Sequence, residues 1–150
     1  MDVVSTRTAD LTGSVTAIAY MLLIIALLTA RLAERPELGQ WIGLVSILAM
    51  IPLAYLFYAG LKVDRPFIYL VWIGLMLLFL LFELIVDYIL KLDFRSNLRT
   101  AIPYVMFFFA ATGGLLGVAA QAGKQWMYMA VALYLVMAAM AFIQRAKTGL

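Results

Sequence analysis

The chain has 150 residues, of which 67% are hydrophobic and only 13% are charged, with a net charge of +3 and a mean hydropathy of +1.05. Soluble domains are about half apolar and about a quarter charged, so this composition excludes an ordinary soluble fold and indicates a membrane protein. The sequence contains no His and no Cys. This absence excludes His- or Cys-ligated haem, Cys/His zinc sites, and Ser-His-Asp or Cys-His catalysis.

Continuous apolar runs predict an all-α membrane bundle with five transmembrane helices in a single domain. The runs do not alternate between apolar and polar residues, which favours helices over a β-barrel. The first run is long enough to span and follows a tail of mixed charge, so we expect an uncleaved span and not a signal peptide. The predicted spans are residues 14–32, 39–61, 66–91, 98–121 and 125–144, which leaves no soluble domain.

Two prolines in the first half of the chain are expected to interrupt the helical pattern. Pro36 lies in a charged turn and is expected to end the first helical segment. Pro52 lies within the second predicted span, where a proline kinks a helix or frees a carbonyl.

The distribution of basic residues predicts how the bundle is oriented. With five spans, the amino-terminal tail and the second and fourth loops share one side, and the other connections share the opposite side. Lys and Arg are commoner on the cytoplasmic side, so we expect the N-terminus outside and the C-terminus inside, in the plasma membrane. The outer side carries Arg7, Lys62, Arg65 and Lys124, and the inner side carries Arg31, Arg35, Lys91, Arg95, Arg99, Arg145 and Lys147.

The third predicted span carries two acidic residues, Glu83 and Asp87, that form the candidate functional site. A span needs about 20 residues, so its helix should continue past Glu83, placing this residue inside the membrane and Asp87 one turn nearer to water. Residues four apart lie on the same helical face. Such an intramembrane pair can bind a proton, a cation or a cationic substrate.

An ion-paired, structural role is the other interpretation of the same acids, and for the pair it is slightly favoured over the functional one. Asp87 precedes Lys91 by four residues, which is the favourable order for a helical ion pair. Glu83 could reach an arginine at the same end of the bundle. We expect Asp87 to be structural and regard Glu83 as the stronger functional candidate. The arginines on that side are Arg31, Arg35, Arg95, Arg99 and Arg145, and Arg95 and Arg99 join Lys91 as ion-pair candidates.

A strip of small residues in the fourth predicted span indicates close helix packing. Gly113, Gly114 and Gly117 include a small-xxx-small spacing, which lets backbones approach closely in a membrane. We expect this strip to pack within the chain, with a contact between identical chains as the alternative. The partner surface is expected on the fifth span, which carries Ala130, Ala138, Ala139 and Ala141.

The sequence predicts function only in outline. It favours a non-catalytic accessory, scaffold or lipid-packing protein. The alternative is a small oligomeric transporter or channel in which Glu83, with Asp87, binds a proton, a cation or a cationic substrate. An enzyme using carboxylates alone is less favoured. We expect no cofactor, metal or nucleic acid; the expected partners are membrane lipids and a homo-oligomer or a larger membrane complex.

Overall fold

The computed structural model describes residues 3–148, with side chains for residues 6–147, and every regular element in this part of the chain is helical. Five segments are long and apolar enough to cross a membrane, which confirms this part of the prediction and suggests a membrane-embedded protein. The elements are α1 (Val3–Leu32), α2 (Pro36–Ile47), α3 (Met50–Lys62), α4 (Phe67–Glu83), a π-helical turn (Leu84–Ile89), α5 (Leu98–Ala120) and α6 (Lys124–Thr148).

The first helix begins well before residue 14 because its polar residues find partners. The Ser14 hydroxyl donates to the carbonyl of Asp10 at 2.9 Å, and the Asp10 carboxylate forms an ion pair with Arg65 at 2.7 Å. This ion pair fastens α1 to the turn between α3 and α4. At the other end of α1, Pro36 does not end the helix as expected; it begins α2, where its missing N–H costs nothing.

The second span is divided into α2 and α3 by a break at residues 48–49. Pro52 has no N–H to donate to the Leu48 carbonyl four residues earlier. That carbonyl instead accepts a hydrogen bond from the Ile51 N–H at 3.1 Å. The interruption expected from Pro52 is therefore present, one turn before the proline.

The third span ends in a π-helical turn that the sequence analysis did not predict. The Leu90 N–H donates to the Ile85 carbonyl at 2.8 Å, five residues earlier. Lys91 then adopts a left-handed conformation with φ of 50°, which is unfavourable for a residue with a Cβ and ends the helix. The Tyr88 hydroxyl donates to the carbonyl of Gln40 at 3.1 Å, and this hydrogen bond joins the turn to α2.

The first helix lies at the centre of the bundle. It packs against α2, α3, α5 and α6, whereas α4 packs mainly between α3 and α5. The core between these helices contains fully buried Met21 of α1, Ile73 and Phe79 of α4, Leu115 of α5 and Met137 of α6. The outer helix α6 is the least buried of the five segments.

The glycine strip of α5 packs mainly against α4 and not against the alanines of α6. A Cβ added at Gly117 would lie 2.5 Å from the Trp72 ring, and one added at Gly114 would lie 3.2 Å from the Trp72 Cα. Gly113 faces α6, but an added Cβ would come no closer than 3.6 Å to the Tyr134 hydroxyl. Trp72 of the same chain therefore packs against the strip at Gly114 and Gly117.

Candidate functional site

Glu83 and Asp87 lie in one polar cluster at the basic end of the bundle, together with Arg95 and Tyr104. Glu83 is the last residue of α4, Asp87 belongs to the π-helical turn, and Tyr104 is on α5. Arg95 comes from the loop that joins the π-helical turn to α5 and reaches back to both acids. We call these four residues the Arg95 cluster.

Arg95 and Asp87 form the strongest contact in this cluster. The guanidinium Nη1 and Nη2 donate to the two Asp87 carboxylate oxygens at 3.0 and 2.6 Å, which is the bidentate geometry preferred by arginine and carboxylate. Burial alone would lower the pKa of Arg95, but the Tyr104 oxygen and the Asp87 carboxylate hold this pKa above its usual range. Arg95 therefore stays charged at any physiological pH.

Glu83 is held by Tyr104 more than by Arg95. The Tyr104 hydroxyl donates to Glu83 Oε1 at 2.5 Å and accepts a hydrogen bond from Arg95 Nη2 at 3.2 Å. The direct distance from Arg95 Nη2 to Glu83 Oε1 is 3.9 Å, too long for a hydrogen bond. Tyr104 thus bridges the arginine and the carboxylate, whose side chain is only 13% exposed.

Aromatic rings hold the guanidinium of Arg95 in place. Its central carbon lies 4.7 Å from the Phe94 ring and 5.0 Å from the Tyr104 ring, within the range of a cation–π contact. These two rings also contact each other, with centroids 4.9 Å apart. The loop is fastened at its end by Asn97, whose side chain accepts from the Arg99 N–H at 3.0 Å and caps α5.

The two other predicted ion-pair residues lie outside the cluster. Lys91 is exposed and follows the end of the helix, so the geometry of a helical pair with Asp87 does not exist there. Arg99 is exposed near the start of α5. Within residues 6–147, the acids of the cluster form ion pairs with Arg95 alone.

A pocket of about 310 Å³ adjoins the Arg95 cluster and lies between α1, α5 and α6. Most of its lining is apolar and includes Leu28 of α1, Phe109 of α5 and Phe142 of α6. Its polar end is formed by side chains from four helices and a loop: Arg31, Glu83, Arg95, Tyr104, Gln144 and Arg145. The pocket therefore combines an apolar groove with charged groups at one end.

Sequence reasoning found the acids but missed Tyr104 and the pocket. Tyr104 is one of eight tyrosines, and nothing in its local sequence distinguishes it from an interfacial residue of the aromatic belt. Its role depends on contacts with residues distant in the chain. Comparisons of the chain with protein-family models, with curated protein sequences and with solved structures found no match.

Proposed function

We propose that this chain is a non-catalytic membrane protein that binds a membrane lipid in the pocket between α1, α5 and α6. The observation that carries the proposal is the form of this pocket, an apolar groove that ends in charged side chains. Membrane lipids have the same division into an apolar chain and a polar head. This proposal is a specific form of the accessory and lipid-packing function expected from the sequence.

The position of the pocket supports entry from the bilayer. Several of its lining residues are large, apolar and exposed on the outer face of the helices, where a spanning bundle would meet lipid tails. The exposed members are Leu98, Ile102, Val105 and Met106 of α5 and Phe142 of α6. A ligand moving sideways out of the bilayer would meet this face without crossing water.

We further propose that the polar end of the pocket lies on the cytoplasmic side of the plasma membrane, with the C-terminus inside. The basic residues Arg31, Arg95 and Arg145 all line this end, and positive charge is retained on the cytoplasmic side. A reporter enzyme fused after Leu150 is therefore expected to be active only in the cytoplasm. A fusion active only outside the cell would contradict the orientation.

Filling the pocket tests the lipid-binding proposal. Ala141 lines the pocket, so Ala141→Leu places a larger side chain in the space that the lipid would occupy. We expect the purified wild-type protein to retain lipid in mild detergent. The variant should lose at least half of this lipid, because the leucine side chain takes the place of apolar contacts between the lipid and the pocket. Native mass spectrometry of the intact chain measures the retained lipid.

The matched control is Ala139→Leu, which makes the same change at an exposed position of α6 that is outside the pocket lining. Equal lipid retention by both variants and the wild type would contradict the proposal.

If no lipid is retained and reconstituted protein instead moves cations or protons in a way that Glu83→Gln abolishes, the transporter function is favoured. That alternative draws support from Glu83, whose side chain lines the same pocket.

A further inference from the structure

We infer that the pocket selects an acidic phospholipid, with its phosphate at Arg31 and Arg145 and one acyl chain in the apolar groove. The inference rests on the proposed function, because it names the class of lipid that the pocket would hold. It goes beyond that function by assigning a headgroup and the side chains that recognise it.

The charge at the polar end of the pocket is unbalanced. Arg31 extends from the last turn of α1 into the pocket, and no carboxylate among residues 6–147 forms an ion pair with it. The Arg145 guanidinium donates to the backbone carbonyl of Arg95 at 3.2 Å, which leaves its charge without an anion in the described part of the chain.

The nearby acids, Glu83 and Asp87, attract Arg31 only from beyond ion-pair distance, and both bond to other groups. Asp87 takes both guanidinium donors of Arg95, and Glu83 accepts from Tyr104. Arg31 and Arg145 thus remain as two half-buried cations beside an apolar groove. A charge removed from water is costly unless it is paired, so an anion from the ligand would offset this cost.

Phosphate is an anion that suits these two arginines. A guanidinium presents a planar set of donors that matches phosphate oxygens in pairs, and it tolerates partial burial better than an ammonium group. Two arginines from different helices, α1 and α6, can contact one phosphate from two directions. A headgroup held in this way would also join the ends of these helices.

The size of the groove indicates how much of the lipid it holds. Its volume of about 310 Å³ is at the lower end for ligand pockets, too small for a whole phospholipid. Leu28, Phe109 and Phe142 line its apolar part, and Phe142 is 65% exposed towards the outer face. One acyl chain can lie against these residues while the second chain remains in the bilayer.

A lipid competition measurement tests the assignment. The protein is placed in nanodiscs with equal amounts of phosphatidylcholine, phosphatidylethanolamine and phosphatidylglycerol, and retained lipid is identified by native mass spectrometry after mild extraction. We expect phosphatidylglycerol to be enriched over the bulk composition. The double variant Arg31→Gln/Arg145→Gln should lower the retained ratio of phosphatidylglycerol to phosphatidylcholine about tenfold, because charge-assisted hydrogen bonds are lost.

Two further variants control for net charge and for folding. Arg35→Gln/Arg99→Gln removes the same charge from exposed positions at the same end of the bundle, and it should keep the enrichment. Arg31→Lys/Arg145→Lys keeps the charge but loses the paired donors, so it should retain part of the preference, which provides a folded comparison if the glutamine variant is unstable.

The outcomes separate this inference from the proposed function. Equal retention of the three lipids would overturn the selectivity while leaving a lipid-binding pocket. Enrichment of phosphatidylethanolamine that disappears in Glu83→Gln would overturn it in favour of a headgroup ammonium at Glu83. Failure to retain any lipid would overturn both. Retention of a free fatty acid instead of a phospholipid would also overturn the assignment.

Discussion

Replacing Arg95 with Gln is expected to lower the free energy of unfolding by about 2–4 kcal/mol. Removing one partner of a buried ion pair costs about 3–5 kcal/mol, and solvent reduces this cost here because the Arg95 and Asp87 side chains are 21% and 17% exposed. The variant leaves Asp87 without its bidentate partner and removes the donor to Tyr104. Unfolding in detergent with increasing SDS, followed by circular dichroism, measures the change.

The control for Arg95→Gln is Arg99→Gln, which removes an exposed arginine from the start of α5. We expect its effect to stay within about 0.5 kcal/mol, as for other surface substitutions. The double variant Arg95→Gln/Asp87→Asn should recover part of the lost stability, since no uncompensated charge remains on Asp87. Equal, small losses for Arg95→Gln and Arg99→Gln would show that the Arg95 cluster does not stabilise the fold.

Replacing Gly117 with Ala is expected to lower the free energy of unfolding by about 1–3 kcal/mol, because overpacking a filled interface forces side chains out of position. The added Cβ would lie 2.5 Å from the Trp72 ring, so the indole or the whole of α4 must move. The same SDS unfolding measurement detects this loss. The helix-favouring effect of Ala over Gly opposes the loss by at most about 1 kcal/mol.

Gly113→Ala is the matched control for Gly117→Ala, since it makes the same change one turn earlier in α5. Its Cβ would meet the Tyr134 hydroxyl at an ordinary 3.6 Å, and we expect stability to be unchanged or slightly increased. Replacing Trp72 with the smaller Phe should reduce the loss in the free energy of unfolding that Gly117→Ala causes, as measured in the double variant. If both glycine variants behave alike, Trp72 does not occupy the glycine strip.

The coarse fold was predictable because composition and unbroken apolar runs determine it. Segments of this length and hydropathy must form helices to satisfy their backbone groups in a membrane, and all five are present in the described chain. Proline chemistry also predicted the interruption of the second span near Pro52. These features depend on local sequence, so a single chain is enough to find them.

The partners of the acids were only partly predictable. The spacing of Asp87 and Lys91 favoured a helical pair, but the π-helical turn and the left-handed Lys91 remove the helix on which that pair depends. Arg95 was one of several arginine candidates, and only the path of the loop brings it to both acids. Hydrophobic patterns do not distinguish a π-helical turn from an α-helical one.

The sequence also did not predict which helices pack against each other. Small residues in α5 indicated a place of close approach, and in the structure Trp72 of α4 lies against two of the glycines. A glycine strip indicates that a large side chain or the backbone of a neighbouring helix packs closely against it. Which helix supplies the partner depends on how the whole bundle is arranged.

The π-helical turn has a consequence for how such a chain can change by insertion and deletion. Two contacts are made at different places along the third span: α4 packs Trp72 against the glycines of α5, and the π-helical turn itself holds Asp87 against Arg95. Deleting one residue within the turn would rotate one part against the other by about 100°. A single-codon deletion could thus separate the acid from its arginine and leave the apolar interfaces of α4 intact.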